Sequence, residues 1–258
     1  MRIATYNVNG IISRLEVVLA WLADAKPDIV TLQELKATDE RFPIDAIAAA
    51  GYDAIWHGQK SWNGVAILSR VGRPVETRRG LPGDPDPSQS RYIEAAVNGI
   101  IVAGLYMPNG NPRPGPKFNY KLTWFDRFNA HAADLLATKA PIVLAGDFNV
   151  MPTELDVYKP ERWAEDALFA PEVRDAYAAL VAQGWTDALR KLYPQERVYT
   201  FWHYWRRSFE RDAGLRIDHL LLSPKLAKRL VGAGVDRFAR AMEKTSDHAP
   251  TWIDVKEK

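Results

Sequence analysis

Five short polar motifs, each placed where an apolar run ends, carry the chemistry open to this chain. They are Asn7-Val8-Asn9-Gly10, Gln33-Glu34, Gly146-Asp147-Phe148-Asn149, Arg216-Ile217-Asp218 and Ser246-Asp247-His248. Residues at strand ends can converge in space however far apart they lie in the chain. A cluster of carboxylates with amides and one imidazole is what divalent-metal phosphodiester hydrolysis requires: oxygen ligands hold a hard cation such as magnesium, and a carboxylate or imidazole handles the proton. Each motif alone has a plainer reading. Asp and Asn after a strand bond their own backbone in turns, and Glu34 at a strand end or an Asp247-His248 pair is commonly a solvated surface feature. Five such endings in one chain are hard to explain as turns, so it is their concurrence that points to a site.

The elements that must position these motifs follow from periodicity. Ile3 to Val8 is rich in β-formers and stops at the turn signal Asn9-Gly10. Leu15, Val18, Leu19 and Leu22 recur at helical spacing and predict one amphipathic helix before Lys26-Pro27. Asp28 to Leu32 reads as a buried strand delivering Gln33-Glu34, with further strands at Gly64 to Leu68 and Ile100 to Tyr106. Asn109 to Pro116, with three prolines and two glycines, reads as a loop. A long helix follows, with Leu122, Phe125, Ala132 and Leu135 among its apolar positions. After Pro141, Ile142 to Ala145 is a strand leading into Gly146-Asp147, and Ile217 to Leu222 and Pro250 to Val255 supply late strands. The runs from Pro27 and from Pro141 each follow a helix and lead to a carboxylate, an echo that hints at two similar sheet layers. Strands alternating with helices, without a low-complexity break, predict one α/β domain over residues 1–258. The pattern leaves open whether its sheet is single or double.

Composition narrows the classes. With 258 residues, 47% of them hydrophobic, the chain can bury a large core. A net charge of +2 does not by itself announce a nucleic-acid binder, although an acidic metal site would mask a basic rim in the sum. The absence of cysteine excludes disulfides, zinc-thiolate sites and thiol catalysis. The chain opens strand-like, without the charged lead and apolar run of a secretory leader, and has no apolar run of about 18 residues to span a membrane. The expectation is a soluble, cytoplasmic, monomeric protein.

Longer stretches around the motifs run the length of the chain: Leu32-Gln33-Glu34-Leu35-Lys36, Tyr52 through His57-Gly58-Gln59-Lys60, Asn63 to Ser69, Tyr106-Met107-Pro108-Asn109-Gly110, Gly214 to Asp218 and Met242 to Pro250. On these residues, in this order, the chain resembles the exonuclease III family of DNA-repair nucleases, within the broader endonuclease/exonuclease/phosphatase superfamily. One local departure is Leu35, where many relatives carry threonine; it adjoins a carboxylate ligand without being one, so little consequence is expected. The resemblance implies a four-layer αββα sandwich of two mixed β-sheets flanked by helices, with the site at one edge. It also implies roles. Glu34 would be the main magnesium ligand, helped by Asn7 and, at a neighbouring or alternate position, by Asp147, Asn149, Asp247 and His248; manganese should substitute. Asp147 would orient and deprotonate the attacking water, Tyr106 and Asn149 would hydrogen-bond the scissile phosphate, and His248, held by Asp218, would stabilise charge on the phosphoryl oxygens. A Tyr106 phenolate is the alternative base; an unperturbed tyrosine titrates near 10, which favours Asp147.

Contacts to DNA are a separate question. Between Tyr199 and Phe209 six of eleven residues are aromatic, namely Tyr199, Phe201, Trp202, Tyr204, Trp205 and Phe209, against 11% overall. Such density reads either as a core strand with its flanking loop or as a wall for an extruded sugar or base. Arg206, Arg207, Arg211 and Arg216 could meet phosphates. By resemblance, the abasic-sugar pocket maps to Phe201, Trp202, Leu215 and Ile217, and Lys60, Trp62, Asn63, Arg91 and Lys121 lie on segments forming the rest of the rim. The expected activity is magnesium-dependent repair of double-stranded DNA: incision 5′ to abasic sites and removal of nucleotides or blocking groups from 3′ ends. Two alternatives are a phosphodiesterase or phosphatase acting on lipid or inositol headgroups, and a DNA-binding relative that has lost catalysis.

Overall fold

The computed structural model describes residues 1–257. Twelve strands form two six-stranded sheets. The first contains, in spatial order, β11 (Leu230–Val235), β12 (Thr251–Val255), β1 (Arg2–Asn7), β2 (Ile29–Gln33), β4 (Val65–Ser69) and β3 (Asp53–His57). The second contains β5 (Val75–Arg79), β6 (Tyr92–Val97), β7 (Ile100–Tyr106), β8 (Ile142–Asp147), β10 (Asp218–Leu222) and β9 (Thr186–Asp187). Both sheets are mixed: β1 pairs in parallel with β2, and β7 with β8, while the other neighbours are antiparallel. The double sheet is thus an αββα sandwich, and the paired Pro-led runs are β2 and β8, one central strand in each layer.

Three apolar layers follow from the alternation of side chains along a strand. Ile3, Ile29, Val65, Ile67, Val102, Val143, Ala145, Leu220 and Ile253 point into the space between the sheets. Their neighbours Ala4, Tyr6, Val30, Leu32, Ala66 and Leu68 face outward onto α1 (Leu15–Ala25), meeting Val18, Trp21 and Leu22. On the far side Ala103, Leu105, Ile142 and Leu144 pack beneath α3 (Pro116–Ala137) and α4 (Pro171–Ala182). Short α-helices α2 (Ile44–Ala49), α5 (Ala188–Leu192), α6 (Pro224–Ala227) and α7 (Arg237–Arg240) and three single-turn 3₁₀ helices lie in the connections. α1 ends where expected, with Lys26 left-handed and its N–H bonded to Leu22 O before Pro27.

Five strands, β3, β5, β6, β9 and β11, were not read from the sequence, and two of them show why. β5 is exposed throughout and carries Glu76, Arg78 and Arg79, as suits an edge that must not pair with another chain. β11 contains Gly232 and Gly234; a Cβ on Gly234 would lie 2.7 Å from the Trp252 ring. The aromatic segment is not a core strand: it is irregular, with single bridges from Phe201 to Leu215 and to His248. Among the described residues no helix is long and apolar enough to cross a membrane.

Candidate active site

The rim of the inter-sheet space collects the polar motifs for a geometric reason. β1, β7 and β8 end there, and β10, antiparallel to β8, begins there; Asp147 lies opposite both Tyr106 and Asp218 in the ladder. Each strand points alternate residues inward, so Asn7 continues the face of Ile3 and Thr5, Asp147 that of Val143 and Ala145, and Asp218 that of Leu220 and Leu222. Gly146 is required where β7 and β8 come close, because a Cβ there would sit 1.9 Å from Leu105 O. Directly below, buried Thr5 donates to Gln33 Oε1 (3.1 Å), Gln33 donates to Thr31 Oγ1 (3.2 Å), and Thr31 donates across the sheets to Ala145 O (3.3 Å). This satisfied polar layer separates the site from the apolar core.

Asn7 joins the two principal carboxylates: its Nδ2 donates to Glu34 Oε1 (2.9 Å) and to Asp147 Oδ2 (3.0 Å), while its Oδ1 accepts from Asn9 N (3.0 Å). The Tyr106 hydroxyl donates to Glu34 Oε1 (2.9 Å) and Lys36 pairs with Glu34 Oε2 (2.8 Å). Glu34, Lys36, Asn9 and Asn149 all adopt left-handed backbone, with φ between 47° and 52°. Such conformations cost energy and concentrate at functional sites. His248 Nδ1 lies 2.8 Å from Asp218 Oδ2 and its Nε2 faces Asp147 Oδ2 at 3.8 Å. Asn149 is fixed by its N–H to Asp147 Oδ1 (2.9 Å), and its Nδ2 donates to Met107 O (2.9 Å).

Electrostatics divide the labour. Burial raises the Asp147 carboxyl to about 7, with Asp218 and Glu34 adding and His248 opposing. Burial opposes the positive charge on His248, but Asp218, by charge and hydrogen bond, together with Asp147 carries its pKa up to about 10. Burial also opposes ionisation of Glu34, and Lys36 and Asn7 outweigh it, so Glu34 is held below the usual range. The Tyr106 phenol is pushed well above its ordinary value by burial and then by Glu34 and Asp147. A phenolate base is therefore disfavoured.

Asp147, Asp218 and His248 bring ligand atoms within 4.8 Å of one another. Within that trio His248 Nδ1 is engaged by Asp218 Oδ2 at 2.8 Å, and its Nε2 faces Asp147 Oδ2 at 3.8 Å. The oxygens of Glu34, Asp147 and Asn7 are the set that fits a hard cation; Asn7 must turn its amide over to offer oxygen. Asp247 stands further out, accepting from Asn9 Nδ2 (3.0 Å), and Asn9 in turn accepts from Lys36 Nζ (2.6 Å). Asn9 and Lys36 stand inside the recognised motifs, yet their place in this chain of contacts was not readable: the signal was proximity in sequence, of Asn9 to Asn7 and of Lys36 to Glu34.

The expected DNA-contacting residues divide. Phe201, Leu215 and Ile217 form one buried apolar group with Met151, Val157, Leu168, Phe169 and the partly buried Trp163, and the Phe201 and His248 rings meet edge to face with centroids 4.9 Å apart. Trp202 does not belong to it. It is fully buried in a different group with Tyr199 and Ala249, its Nε1 donating to Asp212 Oδ1 (3.0 Å). Lys121 is likewise no rim residue: it is fully buried and donates to Pro108 O, Asn109 O and Asn149 O (3.0, 3.1 and 2.6 Å), and burial lowers its pKa to about 7. Arg216 cannot meet phosphate either, being 1% exposed and clamped to Asp156 (2.6 Å) and Asp187 (2.8 Å). Trp62, Asn63 and Arg91 do line a cleft of about 690 Å³ that opens from Glu34 and Tyr106, and Arg91 lies over the Tyr106 ring. Lys60 is exposed on the adjoining turn. Leu35 is buried against the α1 side, away from the ligand oxygens.

Comparison with known proteins agrees with this geometry. Residues 4–248 match the model of the Endonuclease/Exonuclease/phosphatase family. The chain belongs to that family. It is 35% identical to "Exodeoxyribonuclease III" of Haemophilus influenzae, over 99% of this chain and 100% of that one. Among solved family structures, an AP endonuclease from Archaeoglobus fulgidus superposes with a TM-score of 0.96 at 37% identity, and a 3′ phosphatase from Neisseria bound to a product DNA hairpin with 0.94 at 41%; each match covers 100% of both chains.

Proposed function

We propose that this protein is a metal-dependent DNA-repair hydrolase that incises duplex DNA 5′ to abasic sites and removes nucleotides or blocking groups from 3′ ends. The observation that carries the reading is the charged Asp218–His248 pair facing Asp147, 3.8 Å away, with Glu34 joined to Asp147 through Asn7. The named activities of the Haemophilus, Archaeoglobus and Neisseria relatives support the substrate.

Magnesium, with manganese able to replace it, would be held by Glu34 with oxygens of Asp147 and Asn7, and supplies Lewis-acid polarisation of a phosphoryl oxygen. Asp147, with its carboxyl near neutrality, accepts the proton of the attacking water. His248 stays protonated through neutral pH and lends positive charge to phosphoryl oxygens as they gain negative charge, and Asp218 keeps it cationic and oriented. Tyr106, protonated, and Asn149 donate hydrogen bonds to the phosphate. The apolar group of Phe201, Leu215 and Ile217 receives a deoxyribose without a base, whose extrusion costs less unstacking than a normal nucleotide's. The test is cleavage of one labelled duplex carrying a stable abasic analogue, with and without magnesium. Metal-dependent nicking 5′ to the analogue is expected; an intact duplex under both conditions would refute the assignment.

A further inference from the structure

Next to the apolar group lies a second recess that no step above uses. It measures about 330 Å³ and is lined by Trp163, His203, Trp205 and the arginines Arg162, Arg206 and Arg211. Its rings are layered. His203 lies 4.2 Å from Trp205 at an interplanar angle of 17°, and is parallel to Trp163 within 3° at 6.0 Å. Trp205 leaves 59% of its surface open, so core packing does not explain it. Burial depresses the His203 pKa, which keeps the ring neutral at physiological pH. Among the described residues none of the three arginines has a carboxylate within ion-pair distance. Arg206 and Arg207 both take left-handed backbone (φ 57° and 51°) in the turn that follows Trp205, and Arg211 braces that turn by donating to Arg206 O (3.0 Å). Leu215 lines the recess and also belongs to the apolar group, and Trp163 packs against that group, so the two places are contiguous.

We propose that this recess binds a nucleobase: an unpaired base of the DNA substrate stacks on the Trp205–His203 face while the arginines meet the flanking phosphates. Aromatic faces accept any base, and unpaired guanidinium groups follow the backbone. The inference rests on the DNA reading and adds a grip on bases to one on sugar and phosphate, which equips the enzyme to hold frayed or single-stranded 3′ ends.

Two labelled single strands of equal length and charge separate these contributions, one an oligothymidylate and the other a chain of baseless deoxyribose phosphates. Binding is followed by fluorescence anisotropy, in chelator and at fixed salt. The wild-type protein should bind the thymidylate about tenfold more tightly, the scale of stacking one base. Trp205→Ala should remove most of that preference while leaving affinity for the baseless strand unchanged, and Trp205→Phe should retain much of it. Arg211→Ala should weaken both strands alike. Equal wild-type affinity for the two strands, or a preference that survives both Trp205→Ala and His203→Ala, would overturn the base pocket and leave the nuclease reading intact. Failure to bind either strand while the abasic duplex is still bound would likewise overturn the base pocket, and failure to bind that duplex as well would count against the DNA reading itself.

Discussion

Glu34 and Asp147 are both carboxylates at strand ends, and their surroundings give them different work. Lys36 and Asn7 keep Glu34 ionised, whereas burial beside other acids leaves Asp147 near neutrality. Asp147→Asn, which removes the proton acceptor with little change of shape, should nearly abolish turnover while DNA affinity and folding stay close to normal; wild-type rates in a single-turnover assay would sink the assignment of the base. Glu34→Gln should weaken metal binding, so raising magnesium or manganese should partly restore its rate, and a defect indifferent to metal concentration would show that Glu34 is no ligand. His248 and Asp218 act as a unit. His248→Asn should cost on the order of 100-fold in rate, as for loss of one preorganised charge-stabilising group. Adding Asp218→Asn should then cost far less than the product of the single losses, and multiplicative losses would mean that the two do not cooperate.

At the scale of elements, loops shape the site and buried polar groups hold the loops. Lys121 projects from α3 to gather the carbonyls of Pro108, Asn109 and Asn149, so the long helix fixes both turns that follow β7 and β8. The aromatic segment splits across its own backbone: Phe201 faces His248 and Trp202 belongs to a different group. The two substitutions should therefore behave differently. Trp202→Ala should destabilise the fold by about 3–5 kcal/mol, as for other buried aromatic truncations, and leave the ratio of incision rates on abasic and intact duplex unchanged. Leu215→Ala enlarges the apolar group facing the site and should lower that ratio by roughly tenfold. Matched duplexes at fixed salt, with urea unfolding in parallel, measure both. A Trp202→Ala protein of normal stability and altered ratio would reverse the assignment.

Over the whole molecule, buried charges beneath the site tie its stability to pH. His219, next to Asp218, is fully buried with Nε2 on Val150 O (3.0 Å) and Nδ1 beside the Arg216 guanidinium (3.1 Å). Burial, then the Arg216 charge, lowers its pKa to about 4. Between the free histidine value, about 6.5, and that figure, the unfolded chain takes up a proton that the folded one refuses. Stability should therefore fall as pH drops through this window, by at most roughly 3 kcal/mol from this residue. Unfolding free energies of wild type and His219→Asn at pH 7 and pH 5 check it: the variant should lose less on acidification, and equal losses would show that His219 titrates freely in the folded state.

What the sequence determined by itself was the set of buried strands and the acids at their ends. β2, β8 and β10 are apolar runs that must be buried wherever they lie, and each is bounded by a polar residue, so Glu34, Asp147 and Asp218 were legible as candidates without coordinates, whereas Tyr106 at the end of β7 came from the resemblance. The double sheet came from resemblance, because one sheet or two bury the same alternating faces, and the glycine-bearing β11 and charged edge β5 show no pattern of their own. Only the tertiary structure decided which polar residues meet. Lys121, Arg216 and Trp202 have the composition of surface contacts with DNA, yet neighbours distant in sequence enclose all three: carbonyls of the turns after β7 and β8, the carboxylates of Asp156 and Asp187, and Tyr199 with Ala249. A side chain's type limits what it can bind, whereas its burial and partners depend on what the rest of the chain packs against it. For the same reason His203 and Trp163, 40 residues apart by position, became one stack only when the chain closed around them.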